Sequence, residues 1–295
     1  MSLTAQQTRH FRDSGYLRLP GVVPEPLAAR LRRLVRDEVA LSLPAATDAR
    51  VTTDARLTTG TRGATDAPGG LPKLYRLYER DPELVGELIT TPRLVGALRS
   101  LLGPNVVYVL NRHNQAAVNG PGTSEPRLHR DVLQWSRGLV TAVVYLEEST
   151  VASGCTHLVP GSHFLPFVGV PQPDGGGTWM DEHVEFADLL DQALPVPVPA
   201  GGVLLFDSLA FHTVSANTSD RGRMSLVLGF RSADELDRYP DRGRQIVVSG
   251  GHLYRGNDRA PGPPPLPRTP DRDALAPAVP REEALRRPDA SGVPR

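Results

Sequence analysis

Helical periodicity in the first third of the chain, followed by a run of short apolar segments bounded by Gly, Pro and Asn, predicts a mainly β protein with flanking helices. Several short strands placed after two N-terminal helical blocks are expected to close into a double-stranded β-helix, a jelly-roll (cupin-like) barrel. No internal repeat is present.

Gly15–Pro20 alternates polar and apolar residues as a short strand does. After Pro24, Leu27, Leu31, Leu34, Val35 and Val39 recur at helical spacing, with arginines and acids on the other face. Residues 44–72 lose all periodicity and are rich in Thr, Ala, Gly and Asp, as expected of a lid-like loop or a disordered segment. Asp81-Pro82 pairs an N-cap acid with proline at the first helical position. Thr91-Pro92 repeats the signal, and Gly103 stops the helix. The strands expected from there on are Val106–Leu110, Leu139–Leu146, Thr156–Val159, Val196–Val198, Val203–Phe206 and Ser225–Phe230. Residues 171–193 read as an inserted loop. The stretch 260–295 is Pro- and Arg-rich and is expected to be a disordered tail, which leaves a single domain over 1–259.

The 295 residues suffice to bury a substantial core, and the formal net charge is zero. No global field therefore favours nucleic acid or an anionic membrane, and a small-molecule partner is expected. Lys73 is the only lysine. Cys155 is the only cysteine and can form no internal disulfide, which fits a reducing, cytoplasmic setting. Met1–Arg12 lacks the apolar core of a signal peptide, and no apolar run has the length of a membrane span.

The sharpest local pattern is His129-Arg130-Asp131. Residues two apart on a strand share a face, so an imidazole and a carboxylate can converge on one ion. Two imidazoles and a carboxylate on one face of an octahedron are the ligand set of O2-using non-haem iron enzymes. Such a tripeptide also arises by chance, so a third ligand decides. His212 is the best candidate, placed at the end of the apolar strand Gly202–Asp207 and before a turn rich in Ser, Asn and Thr. His163 reads first as part of a tight turn, and His113, His157, His183 and His252 read as packing or surface residues. Beyond the turn after His212 stands Arg223, on a strand expected to return beside the histidine. A guanidinium there offers a planar fork for a carboxylate, which suits the distal end of 2-oxoglutarate; a surface salt bridge is the other reading.

The ordered set Gly15-Tyr16, His129-x-Asp131, Gly154-Cys155 running into Pro160-Gly161-Ser162-His163, and His212 with Arg223 resembles the phytanoyl-CoA dioxygenase family, from roughly Phe11 to Arg231. The resemblance implies a double-stranded β-helix and an oxygenase using iron(II), 2-oxoglutarate and O2. It implies iron at His129, Asp131 and His212, and the co-substrate carboxylate at Arg223. It also makes the Pro-Gly-Ser-His segment a structural signature, with His163 a non-ligand.

Lys73, taken to lie in a helical stretch, is a candidate contact of co-substrate or substrate, or else faces solvent. Asn111 and Asn114 either hydrogen-bond the co-substrate from inside the barrel or close a turn. Gln134, Trp135 and Tyr254 are candidate substrate contacts, with core packing as the alternative for the aromatics. The expected reaction is hydroxylation of a small specialised metabolite with release of succinate and CO2; desaturation, epimerisation and ring closure share the same ligands. An intact Asp131 argues against halogenation, because halide takes that position in halogenating relatives. The alternative from a different class is a cupin-type metal-dependent isomerase or hydrolase that does not use O2. It would leave Arg223 without a task.

Overall fold

The apolar stripe of the helix after Pro24 needs a partner, and in the computed structural model of the chain the larger of two antiparallel sheets supplies it. Residues 2–42, 73–123, 125–131, 138–165, 184–235 and 244–251 are described. The elements run α1 (Ala5–Ser14), β1 (Tyr16–Leu19), α2 (Glu25–Ser42), β2 (Lys73–Tyr75), α3 (Leu77–Arg80), α4 (Pro82–Ile89) and α5 (Pro92–Leu102). Then come β3 (Val106–Asn119), β4 (Glu125–His129), β5 (Val140–Tyr145), β6 (Thr156–Leu158), β7 (Leu194–Pro195), β8 (Val203–Asp207), β9 (His212–Val214), β10 (Arg223–Ser232) and β11 (Gln245–Ser249).

The larger sheet has the order β1-β8-β5-β10-β3-β11, with β2 paired to β3; the smaller is β4-β9-β6-β7. This is the jelly roll expected from the sequence. Strand alternation gives the larger sheet two faces. Val106, Tyr108, Leu226, Leu228, Phe230, Ala142, Val144 and Leu205 pack under the helices with Leu27, Leu31, Val35, Leu84, Leu88 and Leu98. The opposite face carries Val143, Tyr145, Leu204 and Phe206 against Leu158 and Val196 of the smaller-sheet side. That second face is the barrel interior.

Local chemistry sets the helix ends. Asp81 caps α4 by accepting from the Leu84 N–H at 2.9 Å, and Pro82 and Pro92 open α4 and α5. Thr4 and Gln7 close a capping box on α1, and its C-cap Gly15 has φ +80°.

Several expectations change. Lys73 lies on a strand, not a helix: β2 pairs with β3 so that Lys73 faces Ala117, and Leu74 enters the helix-side core. The expected strand Val106–Leu110 continues to Asn119. His212 does not end the apolar strand β8 but opens β9 in the other sheet, so the turn after it crosses between sheets to reach Arg223 on β10. Val196–Val198 forms only a bridge, Ser149 with Val198. Of the expected inserted loop, 184–192 is a 3-10 segment, while 171–183 lies outside the described residues, as do 44–72 and 260–295. The chain divides into two units, 1–235 with 241–254 and 236–240 with 255–295; all that follows concerns the first. Among the described residues no helix is long and apolar enough to cross a membrane.

Candidate metal centre

β4 and β9 pair so that His129 stands directly opposite His212, their ring centroids 4.2 Å apart. Asp131 lies just past the end of β4, where its backbone N–H donates to Ser208 O at 2.9 Å. One donor atom from each of His129, Asp131 and His212 falls within 4.8 Å of the others, and among the described residues this is the cluster suited to a metal. Asp131 Oδ1 is 3.8 Å from His129 Nε2 and 3.5 Å from His212 Nε2. Nδ1 of His212 meets the Ala210 carbonyl at 3.0 Å; a carbonyl only accepts, so Nδ1 carries the proton and Nε2 is left as the ligand atom. Phe206 packs against the His212 ring, with centroids 4.6 Å apart. Two imidazoles and one carboxylate, converging from one side, fit a divalent iron with open positions. Burial by itself would raise the Asp131 carboxyl, but the imidazoles of His113, His212 and His129 outweigh it and hold the group well below the usual carboxylate range.

Arg130, between the two ligands, points away from them, as alternation requires, and is buried. Its Nη2 donates to Ser162 O at 2.8 Å and Leu165 O at 3.0 Å, and its guanidinium lies 4.1 Å above the Phe211 ring. Burial lowers its pKa to about 10, which leaves it charged at neutral pH. The Pro-Gly-Ser-His segment reaches the same place. Ser162 Oγ accepts from the Phe211 N–H at 2.8 Å and donates to Val159 O at 2.6 Å. Arg130 and Ser162 thus fasten the residues beside His129, Asp131 and His212 to one turn. His163 itself faces the other way, contacting Arg12 O through Nε2 at 2.9 Å. It covers Gly15, where a Cβ would come within 2.5 Å of His163 Nδ1. Replacing Ser162 by Ala strands the buried Phe211 N–H and is expected to cost about 1–3 kcal/mol, read as a lower urea midpoint, together with weaker metal binding.

Arg223 is buried in the barrel interior, 3% exposed. Its Nε donates to Ser153 O at 3.1 Å, Nη2 donates to Gly154 O, and the guanidinium sits 5.2 Å from the Tyr145 ring centroid. Burial pulls its pKa down, while Tyr145, Cys155 and Glu147 favour the charged form. The Gly154-Cys155 motif finds its reason here. Gly154 has φ +70°, and a Cβ would approach Ser215 O to 2.5 Å and Asn119 Nδ2 to 2.6 Å. Gly154→Ala is therefore expected to destabilise by more than about 2 kcal/mol and to loosen Arg223, seen as a lower Tm.

The remaining candidates divide. Lys73 stands opposite Leu74's buried face and so shares the interior face with Ala117, which pairs with Ser225, two residues on from Arg223. Asn114 is not brought to the site: its Oδ1 accepts from the Tyr78 N–H and Tyr108 OH, both at 2.8 Å, and its Nδ2 donates to Glu79. It faces the helices because it sits one residue from the interior positions His113 and Gln115. Asn111 lies on β3, but its side chain is outside the described residues, as are Gln134, Trp135 and Tyr254. Sequence reasoning missed His113, which meets Asp131 Oδ1 at 3.4 Å through Nε2. It also missed Thr141, which donates to Asp131 Oδ2 at 3.0 Å. No carboxylate stands two residues from His113, the signal that singled out His129.

Known proteins bear on this geometry. A family model described as phytanoyl-CoA dioxygenase matches residues 11–225. A probable phytanoyl-CoA dioxygenase of Caenorhabditis elegans is 24% identical, over 80% of this chain and 78% of that protein. The fold is shared with the carbocyclase SnoK of nogalamycin biosynthesis, at 22% identity and a TM-score of 0.60, over 79% of this chain and 85% of that one. It is shared equally with the epimerase SnoN, solved with Fe3+, α-ketoglutarate and nogalamycin RO, at 19% identity and a TM-score of 0.60, over 77% and 83%. The chain belongs to the phytanoyl-CoA dioxygenase family and is a non-haem iron(II)- and 2-oxoglutarate-dependent dioxygenase.

Proposed function

We propose that this dioxygenase hydroxylates a small specialised metabolite, with His129, Asp131 and His212 as the iron ligands and Arg223 as the anchor of 2-oxoglutarate. The observation that carries the reading is the convergence of three ligand atoms within 4.8 Å in a barrel whose interior also holds a buried, pre-oriented guanidinium. Iron(II), when bound with 2-oxoglutarate and O2, supplies the oxidising chemistry, in which 2-oxoglutarate leaves as succinate and CO2.

The chain's own residues supply geometry. Ala210 O fixes the His212 tautomer, and the β4–β9 register sets its distance from His129. Thr141 occupies Oδ2 of Asp131 and leaves Oδ1 toward the imidazoles. Ser153 O and Gly154 O take two of the five N–H groups of Arg223 and fix its guanidinium, and the co-substrate carboxylate is proposed to meet the others. Lys73, on the same face, is the second cation for the co-substrate. Val143, Leu204 and Phe206 form an apolar wall that keeps bulk water from the interior. The expected lid 44–72 and the candidate substrate contacts Gln134, Trp135 and Tyr254 complete the reading as proposals from the sequence.

A panel of small metabolites screened for stimulation of succinate formation under 18O2 tests it. Hydroxylation predicts a stimulating compound whose product gains one 18O atom. A product lacking two hydrogens, or inverted at one carbon with no 18O, would overturn hydroxylation while leaving the oxygenase intact. Nogalamycin-pathway relatives described as carbocyclase and epimerase share this fold, which makes that readout necessary.

A further inference from the structure

We infer that His113 is a positioning residue for the metal centre: with Thr141 it holds the Asp131 carboxylate so that only one oxygen faces the ion. The inference rests on the reading of His129, Asp131 and His212 as the ligands.

The strand β3 brings His113 to the interior face, one residue before Asn114, which pairs with Leu228. Its register against β10 then jumps, from Asn114 opposite Leu228 to Val109 opposite Gly229, so residues 110–113 bulge out with no partner on that strand. The bulge sets His113 against Gly229, where an added Cβ would lie 3.0 Å from His113 Cβ. A side chain at 229 would crowd the imidazole there. His113 is 4% exposed, and a buried imidazole on an interior face needs polar partners. It has them: Nε2 is 3.4 Å from Asp131 Oδ1, and Nδ1 is 3.4 Å from Thr141 Oγ1. Thr141 in turn donates to Asp131 Oδ2. The carboxylate is gripped at both oxygens.

His113 lies as near to Oδ1 as His212 does, yet it does not join the set of atoms within 4.8 Å of one another. It is therefore assigned as an outer partner and not as a fourth ligand. What the grip achieves follows from counting positions on an octahedral ion. Three protein ligands leave three positions, enough for a bidentate co-substrate and O2. A carboxylate that turned to chelate through both oxygens would remove one of them. Fixing Asp131 from both ends keeps that position open, and it pre-orients the ligand before metal arrives.

The test compares His113→Phe, which fills the space without a donor, with His113→Gln, which keeps an N–H, and Thr141→Val, which frees Oδ2. Each metal-free protein is titrated with Co(II), followed by its d–d absorption, and melted without metal to score folding. His113→Phe is expected to weaken Co(II) binding about 10–100-fold with the band intensity altered, as loss of an outer partner does. His113→Gln is expected to restore most of the affinity, and Thr141→Val to weaken binding in the same direction. Should His113→Phe not fold, Thr141→Val and His113→Gln still decide the matter. Parent-like affinity in His113→Phe and Thr141→Val overturns the inference, as does equal weakening in His113→Phe and His113→Gln. Loss of a nitrogen ligand from the Co(II) spectrum of both His113 variants overturns it too, by making His113 a ligand. These readouts use cobalt alone, so they stand apart from whether 2-oxoglutarate then binds, which tests the oxygenase reading.

Discussion

His212→Ala is expected to remove stable iron binding and with it all 2-oxoglutarate turnover, a larger loss than the about 10–100-fold that follows deletion of an outer partner. In the proposed site the imidazole contributes one of three ligand atoms, with its Nδ1 committed to Ala210 O and its Nε2 left for the ion. The side chain is also packed between Phe206 and His129. Removing it leaves a small cavity, and the metal-free protein should melt a few degrees lower without losing its strands. Anaerobic absorption reads the main effect: iron(II) and 2-oxoglutarate should give a weak charge-transfer band in the parent and none in His212→Ala. A parent protein that holds iron, folds, and shows no band would sink the assignment of this site and favour the isomerase or hydrolase alternative. Retention of the band in His212→Ala would instead move the third ligand elsewhere, with His113 the nearest imidazole to Asp131.

How far the sequence discloses this site depends on how local each determinant is. Helix ends were legible because they rest on chemistry within three or four residues: Asp81 caps Leu84, and Pro82, Pro92 and Gly103 sit where helices start and stop. The ligand pair was legible because two residues on one strand end carry it. Lys73 was misplaced because Leu74, Leu77 and Tyr78 mimic a helical stripe, while its true partner, Ala117, lies far along the chain. His113 and Asn114 were misread for a related reason. The polar run Asn111–Gln115 looks like a turn between strands, whereas pairing with β10 carries the strand through it and inserts a bulge. Alternation from Asn114, which pairs with Leu228 under the helices, then sets His113 on the interior face beside Asp131. Arg130 gave no signal either: alternation says it points away from the ligands, but not that a turn from Val159 to Leu165 waits there to receive it.

Replacing Arg223 by leucine should leave iron binding nearly unchanged and raise the 2-oxoglutarate needed to saturate the charge-transfer band by about 30- to 5,000-fold. That range follows from the about 2–5 kcal/mol lost when one member of a buried, hydrogen-bonded charge pair is removed. Two features of the structure set it. The guanidinium is buried, so its contacts are poorly screened, and two of its N–H groups are fixed on Ser153 O and Gly154 O. The same carbonyls lose their partner in the variant, so a fall in Tm accompanies the loss of affinity. Arg223→Lys separates charge from geometry. An ammonium keeps the positive field but cannot meet two backbone carbonyls and a carboxylate in one plane, so it should recover only part of the affinity. If Arg223→Leu titrates as the parent does, the anchor is not Arg223. Lys73, on the same interior face across the intervening β3, then becomes the cation to replace, and Lys73→Met should show the shift that Arg223→Leu did not.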